Sequence, residues 1–168
     1  LRSGHVRGVS LPLGSVRLTE ALLPSHPIPA ADLAELESQL ERSTALLAGL
    51  RAEGLDAAGA NVVAVAGTAT TLAAMDLALE PYDPARVEGY RLGIDRLEHW
   101  IGTLAGLSLA SRRRIRGLEP GRADVIVAGL AVLRAVMRAI GARESRASGR
   151  GVRHGVALRL LEDPDFLR

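Results

Sequence analysis

The stretch Asn61-Val62-Val63-Ala64-Val65-Ala66-Gly67-Thr68-Ala69-Thr70-Thr71-Leu72 constrains the fold more than any other part of the chain. Val62 to Ala66 reads as a buried strand that stops at Gly67, after which Leu72, Met75 and Leu79 recur at helical spacing. Strand, turn and helix N-terminus therefore meet at one point. A helix start offers unpaired backbone N–H groups and the positive end of a macrodipole, and a glycine there lets a ligand approach the main chain. Phosphate or another oxyanion fits such a place. The same residues also suit an ordinary strand-to-helix turn in which Thr68 or Thr70 merely caps the helix.

Around this stretch, short apolar runs alternate with long amphipathic ones. Leu1 to Gly14 reads as a hairpin, Ser15 onward as a short helix ended by Pro24, and Pro29-Ala30-Ala31-Asp32 as the opening of a long helix that Gly54 ends. Leu33, Leu36, Leu40, Leu47 and Leu50 form its stripe. Residues 85–92 read as irregular. Ile94, Leu97, Ile101, Leu104 and Leu107 predict another helix, and Ser108 begins a short one carrying Arg112-Arg113-Arg114, whose simplest reading is an exposed polar surface. The most apolar helix, Val125 to Ile140, must be central, with Gly129 admitting a close neighbour and Arg134 and Arg138 sharing its wet edge. Residues from Pro164 read as a frayed tail. The pattern predicts one α/β domain over residues 1–168, with strands near 5–12, 61–66 and 144–148 in a mixed sheet covered by helices on both faces.

Two further stretches carry chemistry. Turn-forming residues Gly117 to Gly121 place Arg122 and Asp124 in the first turn of the apolar helix, where Arg122 either meets an anion or pairs with Asp124 or Glu119. Glu144 to Gly155 repeats the logic of the first stretch: a short strand, glycines at 149 and 151, and a helix start flanked by Arg150, Arg153 and His154. Two such turns beyond the carboxyl ends of strands can face one crevice.

Composition removes several functional classes. There is no cysteine, so disulfides, thiolate zinc sites and Cys nucleophiles are excluded, and His5, His26, His99 and His154 show no metal-ligand spacing. Every one of the 21 basic residues is arginine, which favours bidentate contact with phosphate. No aromatic platform or concentrated basic stripe supports nucleic-acid binding, and the longest apolar stretch is interrupted by Arg134 and Arg138 and too short to span a membrane. A cytoplasmic protein is expected, together with an N-terminal side truncated within its first hairpin.

Four stretches taken together, Ser10-Leu11-Pro12-Leu13-Gly14-Ser15-Val16-Arg17-Leu18-Thr19-Glu20, Gly67-Thr68-Ala69-Thr70-Thr71-Leu72, Gly121-Arg122-Ala123-Asp124-Val125-Ile126 and Gly151-Val152-Arg153-His154-Gly155, resemble the second domain of the Ppx/GppA phosphatase family. The similarity covers nearly the whole chain and includes Tyr82 to Leu92. It implies a ribonuclease-H-like α/β domain of the actin, Hsp70 and sugar-kinase superfamily, one of two domains flanking a phosphate cleft. The implied activity is hydrolysis of terminal phosphate from inorganic polyphosphate or guanosine pentaphosphate, usually with Mg²⁺. Water activated by a glutamate would attack a phosphoryl group held by backbone amides and metal.

In that resemblance no catalytic residue and no metal ligand falls on this chain; the glutamate and two glycine-rich loops belong upstream, and a fragment without them is expected to be inactive. Gly67, Thr68, Ala69 and Thr70 match the phosphate-bordering turn, and Arg122 a basic position near the polyanion path. Gly14 and Arg17 match positions that pack the hairpin against the cleft, and Gly151, Arg153 and Gly155 a terminal motif in which Arg153 ties the last helix to the sheet. Glu88 stands where the family often has His, and His154 where Glu is common. The implied partners are the protein's own N-terminal domain and a second copy in a homodimer. Two other readings stay open: an ATP-binding phosphotransferase of the sugar-kinase type, with the glycine-threonine turn holding nucleotide phosphates, and a non-catalytic dimerisation module using apolar helix faces.

Overall fold

The computed structural model describes residues 8–52 and 60–162. Helix α1, Ser15–Leu22, begins after Gly14 and ends just before Pro24, which cannot continue it. Helix α2, Ala30–Ala52, has Asp32 in its first turn, where a carboxylate complements the helix dipole. Leu36, Leu40 and Leu47 are buried along one face, as their spacing predicts. Gly54, the expected stop, lies outside the described residues.

Strand β1, Val63–Val65, feeds α3, Gly67–Asp76. Next come the single-turn α4, Pro84–Val87, capped by the Asp83 carboxylate, and strand β2, Arg91–Gly93. Helix α5, Ile94–Ala105, and the short α6, Leu109–Arg112, lead to a 3-10 turn, Pro120–Arg122. Helix α7, Ile126–Ala139, precedes strand β3, Glu144–Ser148, and helix α8, Val152–Glu162.

The sheet order is β1-β3-β2, with β1 and β3 parallel and β2 and β3 antiparallel. It is mixed, as expected, but two of its three strands differ from the expectation. The strand at 144–148 is present and that at 61–66 is trimmed to Val63–Val65. Residues 8–12 are not in a strand, while residues 1–7 of the expected hairpin lie outside the described residues. The third strand is β2, in a segment whose sequence shows no period because three residues are too few to carry one. Pairing with β3 makes it a strand.

Of the helices expected on both faces, the described residues show those on one. Ala147, Ser145 and Leu92 turn inward, toward α3 and α5. Val63 and Val65 point the other way and remain 53% and 50% exposed, so the run Val62 to Ala66 is not buried throughout. Alternation along the strand accounts for the split.

Helix α7 is central, packing against α1, α2, α3 and α5. One of its features departs from the expected wet edge: Arg134 is 7% exposed and donates to Glu37 on α2 at 2.7 Å, whereas Arg138 is exposed, as expected, and pairs with Glu98 on α5. Arg112, expected on an exposed surface, is fully buried. Its Nε donates to the Leu104 carbonyl at 2.6 Å and its Nη1 to that of Ala123 at 3.4 Å. Because α6 ends at Arg112, neighbouring side chains diverge, and only Arg113 and Arg114 of the triplet remain exposed.

Asp76 ties α3, β2 and α5 together. Its carboxylate accepts from Trp100 Nε1 at 2.6 Å, Arg96 Nε at 3.0 Å and the Tyr90 hydroxyl at 3.3 Å. Burial alone would raise its pKa, but the hydrogen bonds from Arg96 and Trp100 outweigh it and hold the carboxyl below its ordinary value.

Candidate anion site at the start of helix α3

The turn from β1 into α3 is strained one residue earlier than the glycine suggested. Ala66 takes φ 75 and ψ −176, a conformation that side chains with a Cβ rarely adopt, while Gly67 begins the helix without a positive φ. No side chain caps this helix. The first intrahelical bond reaching back is Thr70 N–H to the Ala66 carbonyl, so the amides of Gly67, Thr68 and Ala69 are left as donors.

Arg122 occupies the space beside them. A Cβ built on Gly67 would lie 1.8 Å from Arg122 Nη1 and 2.5 Å from Cζ. The guanidinium therefore rests directly on the first residue of α3, and only a hydrogen at that position lets it. Glu119 accepts from Arg122 Nε at 2.8 Å, which settles the expected alternatives for its ion pair. Asp124 instead accepts from the Val125 amide at 2.9 Å. A cation at the positive end of a helix is the unfavourable sign by roughly 0.3–1 kcal/mol. Both groups gain when an anion sits between them.

The threonines divide. Thr68 turns inward: a Cβ on Gly129 of α7 would lie 2.7 Å from Thr68 Oγ1 and 3.6 Å from Cβ of Ser15. Gly129 thus admits a close neighbour, as its place in the sequence suggests, and brings the starts of α1 and α3 onto one patch of α7. Thr68 offers an anion its amide rather than its hydroxyl. Ala69 is buried, and the Thr70 hydroxyl bonds back to the Gly67 and Ala66 carbonyls at 3.3 and 3.4 Å. Thr70 and Arg122 also line a cleft of about 700 Å³ with Arg113, Arg114 and Arg116.

The other expected residues are placed differently. Gly14 caps α1 beside Ser15, and nothing lies within 4 Å of a Cβ there; Arg17 is exposed on α1. Neither packs a hairpin among the described residues. Gly151 precedes α8, and a Cβ on it or on Gly155 would meet nothing within 4 Å. Arg153 is exposed on α8, a helix with no buried residue, so it does not tie that helix to the sheet. Parallel pairing with Val65 opposite Ser148 sends the turns after β1 and β3 off the same end of the sheet.

Glu88 is a contact that sequence reasoning passed over. Its carboxylate accepts from Ser148 Oγ at 2.8 Å and from the Gly149 amide at 3.0 Å, bracing the turn into α8. The Ser148 hydrogen bond first, then that of Gly149 and the charges of Arg150 and His154, hold its pKa below the ordinary value against a desolvation that raises it. Glu88 and His154 line one small pocket. A second missed position is Gly117, at φ 80: a Cβ there would lie 2.2 Å from the Ala74 carbonyl oxygen, so the loop before Arg122 packs directly on α3. Only the turn signal around it is legible in the sequence.

Among the described residues no three His, Asp or Glu side chains are grouped to hold a metal ion. No helix among them is long and apolar enough to cross a membrane.

A sequence model of the Ppx/GppA phosphatase family matches residues 4–163. Exopolyphosphatase 2 of Mycobacterium tuberculosis strain H37Rv is 34% identical over 160 residues, covering 92% of this chain and 49% of that protein. The crystal structure of the Aquifex aeolicus Ppx/GppA family member superposes with a TM-score of 0.83 at 28% identity, over 96% of this chain and 51% of its own. An exopolyphosphatase from Cytophaga hutchinsonii, at 17% identity and a TM-score of 0.71 over 89% of this chain and 47% of its own, shares the fold. These likenesses bear out the expected α/β fold. The chain spans about half the length of the curated relatives it matches.

Proposed function

Because this chain belongs to the Ppx/GppA phosphatase family, we propose that the whole protein hydrolyses terminal phosphate from inorganic polyphosphate or guanosine pentaphosphate, and that this chain forms one wall of its phosphate cleft. The observation that carries the reading is the Arg122 guanidinium resting on Gly67 at the uncapped start of α3. Three main-chain amides and a planar cation stand side by side, an arrangement that an oxyanion between them would complete.

The division of labour follows from the residues in place. The amides of Gly67, Thr68 and Ala69 and the Arg122 guanidinium hold and orient a phosphoryl group and offset charge on its oxygens. The strain at Ala66 keeps those amides in place before substrate arrives. The glutamate that activates water and the ligands of Mg²⁺ belong to the N-terminal domain of the same protein; bound there, the metal would neutralise phosphate charge. The half-exposed Val63 and Val65 support a protein partner on the open sheet face, which fits that domain better than water.

The test is phosphate release by the full-length protein from long-chain polyphosphate and from guanosine pentaphosphate, with and without Mg²⁺. Release that requires Mg²⁺ and falls at least tenfold in Arg122→Ala is the expected result. No release from either substrate, or full activity in the variant, would sink the reading.

A further inference from the structure

The turns that follow β1 and β3 leave the same end of the sheet, but they treat their amides differently. After β1 those of Gly67, Thr68 and Ala69 are left as donors. After β3 they are taken: Gly149 N–H donates to Glu88 Oε2 at 3.0 Å, Arg150 N–H to Ser148 Oγ at 3.0 Å, and Gly151 N–H to the Gly149 carbonyl at 3.2 Å. The second turn is built to hold rather than to bind.

Its hydrogen bonds converge on one side chain. Ser148, 7% exposed, accepts from the Arg150 amide and passes its own hydroxyl proton toward Glu88 Oε1 at 2.8 Å, so both oxygens of one carboxylate hold the end of β3. Glu88 stands on a fixed base, because the residues after it are bonded to the same strand. Gly89 N–H donates to the Ala147 carbonyl at 2.8 Å, and Ala147 N–H to the Tyr90 carbonyl at 2.8 Å. Backbone and side chain thus grip Ala147, Ser148 and Gly149 together.

The end of β3 is also where β1 takes its position. Val65 pairs with Ser148, so Ala66 and Gly149 are the next residue on each of two strands ~4.8 Å apart. Among the described residues β3 is the only strand beside β1, and β1 is three residues long with Val63 and Val65 half exposed. So short a strand is placed by its neighbour. Ala66, at φ 75, leads straight from it into the free donors at the start of α3. What fixes β3 at Ser148 consequently fixes where those donors stand.

We propose that Glu88 is a positioning residue for the anion site: by clamping Ser148 and Gly149 it holds β1, Ala66 and the amides of Gly67, Thr68 and Ala69 in place for a phosphoryl group. The inference rests on the phosphate reading above, and it adds a residue that acts through the sheet and not on the phosphate. Charge and clamp have opposite signs here. A carboxylate at the same end of the sheet repels an anion, so its removal by itself would tighten anion binding. Loss of the clamp weakens it, because the donors are no longer held where the phosphoryl oxygens need them.

The test measures binding of inorganic triphosphate by the full-length protein, hydrogen exchange at the Thr70 amide, and phosphate release, at a temperature where circular dichroism shows every variant folded. The variants are Glu88→Ala, Glu88→Gln and Glu144→Ala. Gln keeps an acceptor for Gly149 and offers an N–H to the Ser148 hydroxyl, so it loses the charge and retains the clamp. Glu144, exposed at the other end of β3, controls for charge alone. The Thr70 amide, bonded to the Ala66 carbonyl at 3.3 Å, reports on the turn without any ligand.

Glu88→Ala should weaken triphosphate binding and lower kcat/KM roughly tenfold each, and should speed Thr70 exchange. Glu88→Gln should bind triphosphate at least as well as the unmodified protein, and Glu144→Ala should not weaken binding. Tighter or unchanged binding in Glu88→Ala, an equal loss in Glu88→Gln or Glu144→Ala, unaltered Thr70 exchange, or no triphosphate binding by the unmodified protein would overturn the proposal. If triphosphate binding and Thr70 exchange follow the expected pattern but no phosphate is released, the hydrolase reading fails and the clamp stands; release that Glu88→Ala leaves intact gives the reverse.

Discussion

The guanidinium of Arg122 occupies the place where a side chain at Gly67 would begin, 1.8 Å from Nη1 to an added Cβ. Gly67→Ala should therefore act by displacing Arg122, since the backbone φ there is unstrained and the obstructing atoms are the far end of a flexible side chain. In the full-length protein, kcat/KM for the proposed phosphate release should drop about 100-fold, ~2.7 kcal/mol, with little change in melting temperature. A double-mutant cycle with Arg122→Ala checks the mechanism: the double variant should be no worse than the worse single one, and additive losses would contradict it.

Arg122→Ala should cost little stability, because its pair with Glu119 is exposed, 43% and 68% on the two side chains, and such pairs contribute ~0–1 kcal/mol. Its loss should appear in substrate use, greater for long polyphosphate than for short chains, and should shrink at high salt. Kinetics at two chain lengths and two ionic strengths, run beside a thermal melt, separate this from a purely structural pair.

Arg112→Met should destabilise by ~2 kcal/mol, as it removes the donors for the buried Leu104 and Ala123 carbonyls. Ala123 directly follows Arg122, so the variant should also raise KM while leaving Arg122 chemically intact. Denaturant midpoints and KM for polyphosphate are the two readouts; a change in neither would show that the buried guanidinium is dispensable.

Acid should weaken the α3–β2–α5 junction. The Asp76 carboxyl is held below its ordinary pKa, so its contribution is fully present above the unfolded value of about 3.9 and is lost as pH falls through the lower folded value. Asp76→Asn should lower stability at neutral pH and flatten its decline in acid. Thermal melts of both proteins from neutral pH into the acid range measure the difference; parallel curves would assign the acid sensitivity elsewhere.

Residues 1–168 alone should bind phosphate chains but release no phosphate, since on the proposed reading they supply positioning groups for one side of the cleft and not the glutamate that activates water. Metal-dependent turnover by this stretch in isolation would move the chemistry onto it.

Long periodic segments are legible in the amino-acid sequence: α2, α5 and α7 follow from leucine and isoleucine spacing, and the strand-glycine-helix unit at 61–76 from a change of period. The short pieces are not. Four residues of α4 and three of β2 hold no complete period, and they exist because Asp83 caps one and β3 pairs with the other. In the site, Gly67 and Arg122 are both visible as candidates, but Ala66 as the strained residue is not, because alanine gives no sign of a positive φ.

Local sequence determined where the long helices begin and which of their faces are apolar, since each depends on residues within a few positions of one another. Tertiary structure alone decided the fates of the arginines. Arg112, Arg113 and Arg114 are chemically identical neighbours, yet one is sealed against two carbonyls and the others stand along the cleft. Arg134 and Arg138 likewise part, one into the α2–α7 contact and one toward Glu98. A guanidinium on a long, flexible stem takes its place from whichever partners the packed helices bring within reach, and those partners lie far away in the chain.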